Sequence, residues 1–361
     1  MADFVQFYKA GKMTLSSDRF AVYDPAVQLR WTNEITKPYK CQEVFFMQGV
    51  PFLFPLMVPF SIWSIKVAFW LCYVSSIICG AWGLYTLSSQ FSDRRREAFI
   101  YILVGILGSL PCWMNFILGQ LSWFLLGLIS FYIAAFLKGR DSLAACMLAL
   151  TAIKPQYAIL LAIPALVQKR WKLIFYAAAF ELALLAMAAL CIGFDNVINY
   201  PQILSKAVDA AGTNAASMVN IRALLLNFMP DKTASSTSII IYIGTALALL
   251  AYCIKERAKD RNTQAWKFSL IIVACLLTSP HAHLHDCMLL GIPALLTLSY
   301  KARPDAPQSF YRCWSALLIA YPALSWILFL TLQARWPLAV INLVFAALII
   351  TMSFSYDELT C

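Results

Sequence analysis

The side chains with the most chemistry to offer sit close together late in the chain. The stretch SPHAHLHDC, residues 279–287, holds all three histidines, His281, His283 and His285, followed at once by Asp286. Imidazoles can ligate a divalent metal, move protons near neutral pH, or contact an anionic ligand, and a neighbouring carboxylate can join each of these roles. Histidines at i, i+2 and i+4 alternate sides in an extended segment, and on a helix only His281 and His285 share a face. Three readings stay open on spacing alone: metal binding by His281, His285 and Asp286, a hydrogen-bonded structural tip, or a site that touches substrate or handles protons.

Few other groups compete. Lys154 precedes Pro155 in AIKPQ, and proline suits the first turn of a helix, whose free amides would face an anion beside the lysine; a snorkelling lysine is the plainer alternative. Glu181 reads as a polar contact between helices. ADFVQFYKAG puts Phe4, Phe7 and Tyr8 on one face of an amphipathic helix, with Asp3 at the N-cap position, where capping alone would explain it. Asn115 and Gln120 in NFILGQ could bind polar ligands or satisfy backbone, and Arg222 is a further candidate contact.

These residues lie in a very apolar chain. Hydrophobic residues make up 61% of its 361 positions and charged residues 13%, against roughly a quarter charged in soluble domains, so the setting is a bilayer. A spanning helix needs about 20 mostly apolar residues. Seven stretches qualify, near 66–88, 98–115, 119–137, 173–193, 237–254, 313–332 and 337–354. Two more, 142–167 and 268–300, are interrupted by AIKPQ and SPHAHLHD. The eleven cysteines form no CxxC pair and lie mostly in apolar runs, which argues against a disulfide framework or a zinc ribbon.

The formal charge of +10 would suit nucleic acid, but its distribution follows topology instead. Arg94–Arg96, Lys138 and Arg140, Lys169, Arg170 and Lys172, the basic run 255–267, and Lys301, Arg303 and Arg312 crowd one set of loops. The opposite set holds Lys206, Arg222, Lys232 and Arg335. The first set is therefore expected in the cytoplasm, which places residues 1–50 and the 194–236 loop outside. Both interrupted stretches then have basic loops on each side, so each goes in and comes back as a hairpin. Lys154 and the histidines would sit at tips lining one cavity, since irregular backbone at membrane depth must be buried in protein or wet. Residues 1–361 read as one integral domain: an outer head to residue 50, a bundle over 51–354, and the 194–236 loop.

The ordered motifs DFVQFYKAGK, VYDP, the proline-rich GVPFLFPLMVPF, NFILGQ, AIKPQ with the later KRWK, and SPHAHLHDCMLL resemble glycosyltransferase family 87, polyprenol-phosphate-mannose-dependent enzymes of the membrane-embedded GT-C class. The resemblance runs from residue 3 to about 295. It implies an all-α polytopic fold, here about seven full spans plus two broken or re-entrant hairpins. It also implies an outward-facing site in the cell membrane, where a polyprenyl-phosphate sugar, presumed to carry mannose, meets a lipid or glycan acceptor hydroxyl. An acidic residue of the first outer loop serves as base in the family, and Asp3 matches it by motif. Lys154 matches the lysine before proline, and His285, with Asp286, His283 and His281 around it, falls on the late polar position that contacts the donor phosphate. Tyr8, Asn115, Gln120 and Arg222 are candidate substrate contacts. No metal or other cofactor is implied. Family members carry a transmembrane helix ahead of the acidic residue, whereas Met1 stands two positions before Asp3, so an upstream apolar extension is expected. Competing readings are a transporter or lipid carrier with re-entrant hairpins and a metal enzyme centred on the histidines.

Overall fold

The computed structural model describes residues 3–42, 46–90, 95–210, 218–256, 260–298 and 324–327. The expected spans 313–332 and 337–354 lie outside these residues except for one helical turn at 324–327, and so do Arg94, Arg257, Lys259, Lys301, Arg303 and Arg312 of the loop-charge pattern. The described part is helical throughout and contains no β-strand, with one isolated bridge between Met218 and His283.

The head comprises α1 (Phe4–Thr14), a 3-10 turn (Ser17–Ala21) and α2 (Pro25–Ile35), whose first turn is capped by Asp24 accepting from the Val27 amide at 2.9 Å. Phe4, Tyr8, Ala10 and Met13 bury one face of α1 against two short proline-interrupted helices, α3 (Leu53–Leu56) and α4 (Val58–Ser61). Lys9, on the same helix, is fully buried, donating to Gln28 Oε1 at 3.0 Å and Thr32 Oγ1 at 3.1 Å.

Among the described residues three helices are long and apolar enough to cross a membrane: α5 (Ile65–Ser88), α11 (Trp171–Ile192) and α15 (Asp231–Lys255). On α11 and α15 most of the apolar surface, including Phe175, Leu182, Leu190 and Ile240, is exposed, which fits contact with lipid chains. The stretch expected as one straight span over 98–115 is instead two helices, α6 (Arg95–Gly108) and α7 (Leu110–Leu118), bent by 60°. Ser109 and Pro111 explain the break, because proline lacks the amide that would continue the ladder and its ring disfavours helix before it. The chain continues into α8 (Ser122–Leu137), which packs on α5 through Gly83 and Gly127; a Cβ on Gly83 would stand 2.7 Å from the Gly127 Cα.

Both interrupted stretches are hairpins. In the first, α9 (Asp141–Thr151) and α10 (Pro155–Val167) meet at Lys154. Arg170, just past α10, pairs with Asp141 at the start of α9 and donates to the Phe136 carbonyl at 2.7 Å, so the segment ends where it began. In the second, α16 (Arg261–Thr278) turns through residues 279–283 into a 3-10 helix (Leu284–Leu290) and α17 (Gly291–Leu298), which packs back on α16. Gln168 and Gln264 join the open ends of the two hairpins at 2.7 Å. After α11, α12 (Phe194–Ile198) and α13 (Tyr200–Ala210) lie by the head: Asn196 donates to the Phe20 carbonyl and Tyr200 to the Gln48 carbonyl. Head, 194–236 loop, hairpin tips and the α7–α8 turn thus share one end of the bundle.

Candidate active site

The two hairpin tips meet through a charge pair. Lys154 Nζ lies 2.5 Å from Asp286 Oδ1, and Asp286 is fully buried while the lysine side chain is 25% exposed. The Asp286 carboxylate is held from several sides: its Oδ2 accepts the His283 amide at 3.0 Å, and its Oδ1 accepts the Ser122 hydroxyl at 3.3 Å. An ionised carboxylate without water survives only with such partners. Lys154 is the N-cap residue of α10, with Pro155 at the first helical position, so the positive end of that helix dipole opens at the same place. Gln156 extends the junction by donating to the His281 carbonyl at 3.3 Å, and its own carbonyl accepts the Tyr242 hydroxyl at 2.7 Å.

The three histidines form a column rather than a chelate. Ring centroids are 6.0 Å apart between His281 and His283 and 5.6 Å between His283 and His285, with planes within 25° and 19°. Among the described residues no group of three or more His, Cys, Asp or Glu side chains could hold a metal. His285 is buried with Nε2 3.7 Å from Asp286 Oδ1, the oxygen that also pairs with Lys154. His281 and His283 are partly exposed and stand at the surface of the tip.

A strip of the 194–236 loop locks onto this tip. The Val219 amide donates to the Ala282 carbonyl at 3.0 Å, and Asn220 spans from the Ser279 carbonyl at 2.7 Å to the Ala223 amide at 3.1 Å, capping α14 (Ile221–Leu225). Arg222, 2% exposed, pairs with Asp231 at 3.0 Å. Among the described residues its buried Nε has no hydrogen-bond partner, and neither has the buried His281 Nε2, which lies within electrostatic reach of both Arg222 and Lys154. Buried polar atoms of this kind call for a ligand or water.

Asp3 occupies the N-cap position of α1, but its side chain does not cap. It receives Gln120 Nε2 at 2.5 Å, while its backbone amide donates to the Leu118 carbonyl at 3.0 Å. Burial raises the Asp3 pKa above the ordinary carboxylate value, against the opposing pull of the Gln120 hydrogen bond. The turn that presents Gln120 depends on Gly119, which has φ of 76° and whose added Cβ would lie 2.6 Å from the Phe4 Cβ. Asn115 braces that turn, donating to the Gln120 carbonyl at 3.2 Å and accepting from the Ser122 amide at 3.2 Å, so it satisfies backbone. Tyr8 likewise spends its hydroxyl proton on the Trp63 carbonyl at 2.8 Å.

One turn therefore carries both halves of the site: Gln120 holds Asp3, and Ser122, two residues on, holds Asp286. That is at most about 7 Å of chain. The model of glycosyltransferase family 87 matches residues 50–280. The chain belongs to this family. The glycosyltransferase match includes Gln120, Ser122, Lys154 and Arg222; the tip 281–286 begins directly after its end, whereas Asp3 and the whole head lie ahead of its start. No curated protein matches the chain. This family-87 chain is a membrane glycosyltransferase by its family and its apolar spanning helices.

Sequence reasoning overlooked Ser122, Gln156, Asn220 and Tyr157, whose ring centroid lies 5.7 Å from Lys154 Nζ. Gln156 and Tyr157 follow directly on the Lys154–Pro155 signal. Ser122 and Asn220 carry none, because a serine or asparagine near a helix start is ordinary capping chemistry.

Proposed function

We propose that the protein transfers a hexose, mannose by the family resemblance, from a polyprenyl-phosphate donor to an acceptor hydroxyl on the outer face of the cell membrane, with inversion at the anomeric carbon. The observation that carries this reading is the α7–α8 turn joining a carboxylate with raised pKa, Asp3, to a buttressed cation, Lys154. Asp3 takes the acceptor proton as the hydroxyl oxygen bonds to the anomeric carbon. The bond from that carbon to the phosphate oxygen breaks, and the lipid phosphate leaves with the electron pair. Charge grows on the phosphate in this step, so a cation fixed beforehand stabilises the transition state more than the ground state.

In this reading Asp286 acts through Lys154. Its buried carboxylate sets the ammonium in place and leaves further N–H donors for the phosphate, with His281, His283 and Arg222 at the margin of the same anion site. The loop-charge pattern supports an outward site, because the basic loops and the site lie at opposite ends of the bundle. No resident metal is needed, since lysine and the α10 dipole supply the positive charge.

The test is transfer by the purified protein from polyprenyl-phosphate hexose in chelator, with sealed vesicles reporting the side of reaction. Wild-type turnover that Asp3→Asn abolishes, with folding unchanged, supports the base; full turnover in Asp3→Asn removes it.

A further inference from the structure

The break between α6 and α7 leaves backbone groups without helical partners, and one turn of chain more than 200 residues away satisfies two of them. The Ser325 hydroxyl accepts the Leu110 amide at 3.3 Å, and the Trp326 indole donates to the Gly108 carbonyl at 3.2 Å. Ser325 is fully buried and the Leu110 amide contact with it. Non-helical backbone in a bilayer must find such partners inside the protein. Two consecutive residues here take one donor and one acceptor from opposite sides of a single kink.

The far end of α7 is fastened to the reacting carboxylate. Asp3 donates its amide to Leu118, Gly119 touches Phe4, and Gln120 holds the Asp3 side chain. The helix between these two ends is only nine residues, about 14 Å at 1.5 Å per residue. A short helix packed on the 3-10 segment of the second hairpin transmits a change of angle at its start to its end.

We infer that Ser325 and Trp326 are positioning residues that set the angle of α7 and thereby the place of Asp3. The inference rests on Asp3 being the base; the pinning of α7 by these two residues does not. Residues 325 and 326 act through α7 and touch neither donor nor acceptor.

The experiment compares the full-length protein with Ser325→Ala, Trp326→Phe, the double variant, and Ser325→Thr as the conservative control, in detergent. Turnover and hydrogen–deuterium exchange are measured together. The double variant is expected to lose about tenfold in kcat with donor KM within twofold, and to exchange faster over residues 110–120 and 3–8 but not over 154–160. Ser325→Thr, which keeps the acceptor, should behave as wild type. Should the double variant not fold, Ser325→Ala alone decides, with a smaller loss of the same pattern. Unchanged exchange over 110–120 overturns the pin. Faster exchange there with full kcat overturns the link to the base while leaving the pin standing. A loss shared equally by kcat and the folded fraction overturns positioning in favour of plain stability.

Discussion

The Asp3 corner and the hairpin tips hold their charges in opposite ways. Asp286 and Lys154 are joined to each other, and Asp286 is shut from water with Ser122 and the His283 amide completing its shell. Among the described residues Asp3 has one side-chain donor, Gln120, and burial raises its pKa. A group meant to stay charged is surrounded by partners. A group meant to accept a proton is left basic, because each added donor would stabilise the carboxylate and weaken it as a base. On the proposed reading, electrostatic work falls to the tips and proton transfer to the head.

The comparison breaks first at the base. Asp3→Asn should lower kcat about 10³- to 10⁴-fold, in line with loss of general-base catalysis, with thermal stability kept because Asp3 does not cap α1. Activity assays beside a melting curve check both halves.

Removing the cation comes next. Lys154→Ala should cost about 10²- to 10³-fold in kcat. It should also destabilise the fold by about 3–5 kcal/mol, the cost of leaving a buried partner uncompensated, here the Asp286 carboxylate. The double variant Lys154→Met with Asp286→Leu separates the two effects: it should regain most of the melting temperature and none of the activity. Recovered activity in that protein would remove lysine from the chemistry.

Gln120→Leu sharpens the contrast. A base must be ionised, so kcat/KM is lost as pH falls through the pKa of Asp3, and burial places that limb above the usual carboxylate range of about 4. Deleting Gln120 removes a contact that lowers the pKa, so the limb should move to higher pH, with about a tenfold loss at neutral pH. A limb unmoved or shifted to lower pH would show that Gln120 does not tune the base. Smallest is Tyr8→Phe, which loses one hydrogen bond to the Trp63 carbonyl, worth about 1 kcal/mol of stability, and should leave turnover within about threefold.

Much of this was legible in the residues. The hairpins followed from polar, proline-bearing interruptions flanked by basic loops, and the contacts of Arg170 with Asp141 and Phe136 close the first of them as expected. The burial of Phe4 and Tyr8 followed from helical spacing, and the span of α11 from its apolar length. The 60° bend over 98–118 did not, although Pro111 marked it, because hydropathy counts apolar residues without asking where the backbone ladder stops. Histidine spacing kept a metal reading open that the stacked rings do not favour.

What the sequence determined was the inventory and its grouping: a helical membrane chain with the ionisable groups of the candidate site in interruptions and in a head. Apolar length and loop charge act locally along the chain and can be counted. What only the tertiary structure decided was pairing. Nothing in residue 286 names residue 154 as its partner, nor in residue 3 residue 120, because contacts across 132 and 117 positions of chain depend on how helices pack. That packing separated a carboxylate that stays charged from one kept ready to take a proton.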